Sequence, residues 1–414
     1  MRLLFVSNVY PGPLQPTKGP FNRALVEALS ATHQVRVINP VSWVERLKAR
    51  WSGRSQAKSS PSNIAAGSPE VSHPTFYYPP MIQRSRFDRW LDWSLQREFQ
   101  SIRDDFRPHA VLSYWVHPDG TAATRLAQTL GVPSIVMTGG SDVLLLARQG
   151  ARRKVILDTL HAADAVVAVS SHLRDQLVVD GIDSAKLHVV HRGIDRTIFH
   201  PASRTESREK LGLPIERPTI VGVGRLVPVK GWDLLLESCR VLHQRGRRFG
   251  CGIVGGGELH ASLTSRIAEL GLEQVVTLAG ARPQGELADW YRSADVVALT
   301  SLSEGIPNVL LEAMSCGTPW VATDVGGVRE IADPQQHTRL TGRDPIELAN
   351  ALEQRWGMGI VPPDQLTFQP ADWATSAARL STIVEDCVTQ RGGGRTISPS
   401  TDRALVAAGG VSWE

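Results

Sequence analysis

Two glutamates raise the first chemical question. Glu304 and Glu312 stand eight positions apart in SEGIPNVLLEAMSCGTP, Ser303 to Pro319, with a glycine, a proline, an asparagine and a short apolar run between them. Pro307 suits the first position of a helix, where its missing N–H costs nothing. Gly317 followed by Pro319 reads as the helix stop. Backbone N–H groups near Asn308, Val309 and Leu310 would then join the helix dipole in an anion seat. A carboxylate is repelled by an anion but accepts hydrogen bonds from hydroxyls, and its two oxygens suit a vicinal diol. The pattern fits a ligand with hydroxyls at both ends and an anion in the middle, as in a nucleoside diphosphate sugar. The spacing alone equally allows a solvated helix residue at Glu312 and a plain loop charge at Glu304.

A second stretch adds the missing charge. GVGRLVPVKGWDLLLES, Gly222 to Ser238, follows a strand pattern and precedes a helical one, which places Arg225 and Lys230 at a strand's carboxyl end. Two fixed cations there would neutralise a diphosphate and stabilise it as a leaving group; as ordinary surface charges they would do neither. IVGGGELHASL, Ile253 to Leu263, is another glycine-rich turn from strand to helix. The chain's turns lack the GxGxxG and GxxxxGK[ST] patterns, which argues against dinucleotide and P-loop readings. No D-x-D pair occurs, and His188 and His191 flank Val189–Val190 in a way that suits a structural role. No metal is therefore expected, with Arg225, Lys230 and the helix start in its place.

The elements that must position these groups follow from hydrophobic patterning. RLLFVS, VRVINP, AVLSYW and SIVMTG in the first half, and TIVGVG, CGIVGG, VVTLAG, DVVALT and PWVATD in the second, alternate with amphipathic helical stretches. That rhythm predicts an α/β protein with parallel sheets covered on both faces. It breaks at Phe199 to Pro218, which predicts a linker over 201–217 between two domains, 1–200 and 218–370. Lys48 to Pro74 reads as a mobile insertion, and 391–414, opening with RGGGR, as a disordered tail.

The chain has 414 residues, 42% hydrophobic and 21% charged, with a net charge of +4. It can bury proper cores, and its mild basicity suits phosphate-bearing ligands or an anionic membrane surface better than nucleic acid. Cys239, Cys251, Cys316 and Cys387 are scattered singly, which suits a reducing cytoplasm. No apolar stretch approaches the roughly 18 residues that span a bilayer, and MRLLFVSNVYPG reads as a first strand rather than a signal peptide.

With these residues assembled, the second half resembles the catalytic domain of retaining glycosyltransferase family 4, the group 1 glycosyl transferases. Glu304 to Glu312 matches its E-x7-E motif, GRLVPVKG its diphosphate loop, and LAGARPQGEL and SADVVALTS the intervening blocks. In the first half, YPGPLQPTKGPF resembles the N-terminal glycine loop with Gly19 at its tip, and ADAVVAVSSHLRDQL with HRGIDRTIFHP resembles the end of the N-terminal domain. Arg192 departs from the family, which usually has Asn before Gly193; a structural motif should tolerate the change.

The resemblance implies a GT-B fold, two Rossmann-like domains facing a cleft, with a helix near 371–388 crossing back to the first. It implies no cofactor, a UDP- or GDP-linked sugar as donor, and a glycan or lipid-linked acceptor. It assigns Glu304 and the Gly305, Ile306, Pro307, Asn308 segment to the donor sugar, Glu312 to the ribose and Arg282 to the border of the base. Arg225, Lys230, Gly19, Val309 and Leu310 would serve the diphosphate. His117, at the end of AVLSYW, would face the cleft beside the donor sugar, making it and Glu304 the candidate catalytic groups. Asp142 in TGGSDV could meet the acceptor but reads more simply as a helix cap.

RSRFDRWLDWSLQREF, Arg84 to Phe99, sets Phe87, Trp90 and Trp93 among arginines at helical spacing. Such a face can lie on an anionic membrane, and Arg46, Lys48, Arg50, Arg54 and Lys58 would sit well beside a lipid-linked acceptor; burial against the domain core is the simpler reading. The localisation expected is cytoplasmic, with peripheral contact at the inner membrane face left open. The alternatives are another GT-B activity, such as a sugar-nucleotide epimerase, or an inactive scaffold.

Overall fold

A computed structural model describes residues 1–51, 68–80, 82–146, 150–357 and 362–393. Fifteen strands are present among them: β1 (Arg2–Val6), β2 (Gln34–Ile38), β3 (Val41–Ser42), β4 (Glu70–Ser72), β5 (Thr75–Phe76), β6 (Ala110–Tyr114), β7 (Ser134–Thr138), β8 (Ala165–Ala168), β9 (Leu187–Val189), β10 (Thr219–Val223), β11 (Gly250–Val254), β12 (Val276–Gly280), β13 (Val296–Leu299), β14 (Trp320–Thr323) and β15 (Thr338–Leu340). They form a seven-stranded sheet in the order β4-β2-β1-β6-β7-β8-β9 and a six-stranded sheet in the order β12-β11-β10-β13-β14-β15, with β3 and β5 as a separate pair. The neighbours in both sheets pair in parallel. The central strands β6, β7, β10 and β13 are buried along their whole length, as strands covered on both faces must be.

Strand order reverses between β1 and β6 in the first sheet and between β10 and β13 in the second. Open α/β sheets bind ligands outside the carboxyl ends of strands at such switch points. The loops of interest follow those strands: Gly19 lies beyond β1, His117 beyond β6, Arg225 and Lys230 beyond β10, and Glu304 beyond β13. One apolar cluster joins the two units, running from Val143, Val169 and Leu173 to Ile306, Leu310 and Val328.

The expected linker at 201–217 contains a helix, Arg204–Leu211. Its sequence holds a capping pattern missed amid the charges: Ser203 Oγ accepts the Glu206 N–H at 3.2 Å. The helix packs on the Gln284–Ser293 helix and is fastened there by charge. Arg208 Nη2 reaches Asp295 Oδ2 at 2.6 Å, Arg204 Nη1 reaches Asp295 Oδ1 at 2.8 Å, and the Thr219 N–H donates to Oδ2 at 2.6 Å. Asp295 and Arg208 are both buried. Asp295→Ala would leave the Arg208 guanidinium buried without its acid, which should destabilise the protein by about 3 kcal/mol in denaturant titration. An unchanged midpoint would show that the clamp contributes nothing.

A final helix, Trp373–Gly393, crosses to the first unit, where Leu380 and Val384 share a core with Leu25 and Val26 of the Pro20–Ser30 helix. Gly193 makes the crossing possible, since a Cβ there would lie 2.5 Å from the Trp373 Cα. Arg391, assigned to a disordered tail, belongs to this helix and pairs with Asp164, Nε to Oδ1 at 2.9 Å; residues 394–414 lie outside the described residues. The insertion expected over Lys48 to Pro74 is also shorter than read. Its first residues end the Trp43–Trp51 helix and its last include β4, while 52–67, with Arg54 and Lys58, lie outside the described residues.

The Arg84 to Phe99 segment divides its aromatic residues. Leu91 and Leu95 are buried with Phe76, and Phe87 packs against the same cluster. Trp90 and Trp93 point outward, 37% and 61% exposed. Burial, the simpler reading, therefore fails for both tryptophans: the inward stripe is already filled by leucines at i, i+4.

Candidate functional site

The loop after β10 rests on glycines. A Cβ on Gly255 would lie 1.8 Å from the Gly224 carbonyl oxygen, and one on Gly257 would lie 2.4 Å from that of Leu226. Both have positive φ, 155° and 158°. The Gly255–Gly257 run can therefore pass beneath the Arg225 loop only without side chains. Arg225 itself is exposed, and its carbonyl accepts the Trp232 indole N–H at 3.0 Å.

The next turn is stitched to the loop after β13. The Leu302 N–H donates to Val229 O at 2.8 Å, and Thr300 Oγ donates to Lys230 O at 3.1 Å. These bonds bring the Lys230 ammonium to 2.6 Å from Glu304 Oε1, an oxygen that also accepts the Ser301 hydroxyl at 2.6 Å. The lysine and glutamate side chains are only 18% and 12% exposed. Cation and acid thus neutralise one another. Behind them, a Cβ on Gly326 would lie 1.9 Å from Glu304 O, and the Gly327 N–H donates to Gly305 O at 2.8 Å.

The following helix is Asn308–Ser315, with Pro307 at its cap rather than at the expected first helical position. The Leu310 N–H donates to Pro307 O at 3.0 Å. Leu310 is therefore spent on the helix, and the N–H groups that precede this bond belong to Asn308 and Val309. Ile306 is buried in the shared core, so only its backbone can face a ligand. Glu312 lies one turn beyond Asn308. Its Oε2 accepts the Tyr291 hydroxyl at 2.6 Å. Burial pushes its carboxyl up to about 7, outweighing the lowering by the Tyr291 bond. Arg282 is exposed, with its Nε on Ala279 O at 3.0 Å; its neighbour Ala281 approaches Gly256, where a Cβ would lie 3.5 Å away.

The first unit closes over these groups. A Cβ on Gly140 would lie 2.8 Å from the Gly305 Cα, and one on Gly305 would lie 2.5 Å from Gly139 O. Two backbones therefore touch across the cleft. Glu330 reaches back, its oxygens accepting the Ser171 N–H at 2.8 Å and the His172 N–H at 2.6 Å, with His191 Nε2 at 3.4 Å. Burial would raise its carboxyl, but the His191 bond and those two N–H groups prevail and hold it at about 2.

Three residues behave differently from expectation. His117 does not face the cleft: its ring is buried, with Nε2 3.0 Å from Arg84 O and Nδ1 3.5 Å from Thr121 Oγ. Asp88 lies 4.0 Å from Nδ1, and every one of these partners belongs to the first unit. The backbone turns at Trp115, with φ at 82°, before His117 is reached, so the strand's end does not aim the ring. Asp142 is not the cap of its helix either, because Gly140 holds that place. Its oxygens accept the N–H groups of Gly139, Gly140 and Val116, which binds the cleft loop to the turn after β6. Arg192 also ties the two units together, for its Nη1 donates to Asn308 Oδ1 across the cleft at 3.1 Å.

Gly19 sits at the start of the Pro20–Ser30 helix with φ at 61°, where a Cβ would lie 2.4 Å from Val9 O. It shapes its loop. Ser301, Tyr291, Glu330 and the Gly326–Gly327 turn were missed from sequence. Only Ser301, in the same loop as Glu304, carried a signal that could have been used. Among the described residues, no group of three or more His, Cys, Asp or Glu side chains is gathered as a metal site.

The geometry can be set beside known proteins. Residues 203–355 match the family model described as glycosyl transferases group 1, and residues 21–198 match that of Glycosyltransferase Family 4. The chain belongs to the group 1 glycosyl transferases. D-inositol 3-phosphate glycosyltransferase 1 of Catenulispora acidiphila is 35% identical over 202 residues, 46% of this chain and 48% of that protein. The first such relatives are matched over about half of their length. The putative teichuronic acid biosynthesis glycosyltransferase TuaC of Bacillus subtilis is 29% identical over 86% of this chain and 90% of its own. Among solved structures, Anabaena Alr3699/HepE in complex with UDP superposes with a TM-score of 0.64 at 18% identity, covering 95% of this chain and 99% of that one. The fold is therefore GT-B, two Rossmann-like units facing a cleft.

Proposed function

We propose that this group 1 glycosyl transferase is a retaining, metal-independent hexosyltransferase. It moves a sugar from a UDP- or GDP-linked donor to a glycan or lipid-linked acceptor. One observation carries the reading: at the switch point between β10 and β13, an exposed arginine, a lysine–glutamate pair, a helix start and a second carboxylate converge. Glycosyl transfer passes through an oxocarbenium-like state while negative charge grows on the departing diphosphate. Arg225, Lys230 and the N–H groups of Asn308 and Val309 would hold that charge. Glu304 would take hydroxyls of the sugar and Glu312 those of the ribose, with the Ala281–Arg282 turn at the base. The HepE complex with UDP supports the donor class, and the teichuronic acid assignment of TuaC supports a glycan product.

The test is nucleotide release from a panel of UDP- and GDP-sugars, with and without a chelator, and the anomeric configuration of the product by NMR. Release from one donor, unaffected by chelator and with configuration kept, is expected. An absence of release and of nucleotide binding would leave an inactive scaffold instead.

The acceptor is proposed to be met at an anionic membrane surface. No helix among the described residues is long and apolar enough to cross a membrane. Exposed Trp90, Trp93 and Tyr77 nevertheless share one face, Trp93 lying 6.1 Å from Tyr77 and 6.5 Å from Trp90 by ring centroids, and Arg84, Arg86, Arg89 and Arg97 in the same segment are exposed. Interfacial aromatic residues beside arginines bind anionic bilayers by apolar burial and charge together. Replacing both tryptophans by alanine should weaken co-sedimentation with phosphatidylglycerol vesicles about tenfold. Equal binding of the variant, or equal binding to neutral vesicles, would remove the proposal.

A further inference from the structure

The Arg192 side chain carries a charge that the protein does not answer. It leaves the first unit just before Gly193, where the chain is pinned to the segment leading into the crossing helix by the Ile194 N–H on Ala371 O at 2.8 Å. The guanidinium lies 4.1 Å above the Phe21 ring, donates through Nη1 to Asn308 Oδ1 at 3.1 Å, and donates through Nη2 to the Tyr114 hydroxyl. Its Nε is buried without a partner. All of these contacts are neutral, and among the described residues no carboxylate lies within ion-pair distance of Arg192. Asp142, whose charge also reaches Tyr114, turns its oxygens to the N–H groups of Gly139, Gly140 and Val116. A half-buried cation normally has an anion beside it. Hydrogen bonds to an amide and a phenol do not of themselves call for a positive charge.

We propose that Arg192 is a substrate-binding residue supplied by the first unit, taking an anionic group of the substrate beside Asn308 at the mouth of the sugar site. The idea rests on the transferase reading given above for the same cleft. A guanidinium offers planar, paired donors to a phosphate or carboxylate, and its stacking on Phe21 holds that plane fixed. Two sources carry such a group: the donor diphosphate, or an acidic acceptor. In either case closure of the cleft delivers the charge, because Arg192 travels with the first unit while Asn308 belongs to the second.

The experiment compares Arg192→Gln with the wild-type protein by calorimetry, using UDP, GDP, their uncharged nucleosides and inorganic pyrophosphate, and glucose 1-phosphate against glucose on the nucleotide-loaded protein. If the donor is the source, affinity for UDP or GDP and for pyrophosphate falls about tenfold while that for the nucleoside stays put. If the acceptor is the source, nucleotide binding is unchanged and glucose 1-phosphate loses about tenfold with glucose unaffected. Arg192→Lys should restore part of either loss. Equal losses for charged and uncharged ligands, or no loss anywhere, would overturn the proposal in favour of a purely structural arginine. Should Arg192→Gln fail to fold, Arg192→Asn replaces it. Were the wild-type protein to bind no nucleoside diphosphate, the transferase reading would fall, and titrations of pyrophosphate, and of glucose 1-phosphate against glucose without nucleotide, would still decide the role of Arg192.

Discussion

Glu304→Gln should lower turnover by about a hundredfold to a thousandfold while affinity for the nucleoside diphosphate moves by less than about threefold. The separation follows from what Glu304 touches. Its Oε1 accepts the Lys230 ammonium and the Ser301 hydroxyl, each at 2.6 Å. An arriving diphosphate competes for Lys230, because two negative phosphates attract an ammonium more strongly than one carboxylate does. Glu304 is then released toward the sugar hydroxyls, where its charge lies close to the positive character that develops at the anomeric carbon. The interaction is thus strongest in the transition state, and its loss falls on kcat. Removing the acid leaves Lys230 without a counter-charge, so nucleotide affinity should hold or rise. Glutamine is preferred to alanine because its amide oxygen can keep the Ser301 bond. Steady-state rates alongside calorimetric UDP or GDP affinities check the split. A parallel fall in both would place Glu304 on the nucleotide and refute the assignment.

Much of this arrangement was legible in the sequence because it lies within single strand–loop–helix units. β10 and β13 announce themselves as unbroken apolar runs, and in parallel sheets the loop after such a strand opens on the ligand side. Arg225, Lys230 and Glu304 inherit their places from that rule, and Glu312 from the helical period. What escaped was tertiary. Tyr291 meets Glu312 only because the Gln284–Ser293 and Asn308–Ser315 helices pack together. Glu330 meets Ser171 and His172 only when two domains close. The 201–217 stretch read as a linker because its polar composition hid an arginine whose partner, Asp295, lies 87 residues on. His117 shows the limit of the strand-end rule itself. The rule places the residue at the right rim, but the φ of 82° at Trp115 turns the backbone, and Arg84 O offers an inward partner that no local pattern reveals.

Donor binding should tighten with pH below neutrality, by up to about tenfold per pH unit, and level off above about pH 7. The titrating group is Glu312, raised from 4.5 to about 7 chiefly by burial. Ribose hydroxyls donate to a carboxylate, so the ligand prefers the ionised form and its binding expels a proton wherever the acid is still protonated. A UDP- or GDP-sugar is the right probe, because a diphosphate diester has no terminal phosphate to titrate near neutrality. Glu312→Gln should flatten the profile and weaken binding at pH 8 by about tenfold to a hundredfold. The glutamine oxygen can still accept the Tyr291 hydroxyl, which spares that phenol from isolation. The same acid should appear in stability with the opposite sign. A carboxyl raised on folding favours the folded state fully below 4.5 and loses that contribution as pH rises through about 7. The wild-type protein should therefore give up at most about 3 kcal/mol across that window that the glutamine variant keeps. Paired titrations of ligand affinity and denaturation midpoint, from pH 5 to pH 8, would expose both slopes. A glutamine variant with the wild-type slopes would mean that Glu312 is neither the buried acid nor the ribose partner.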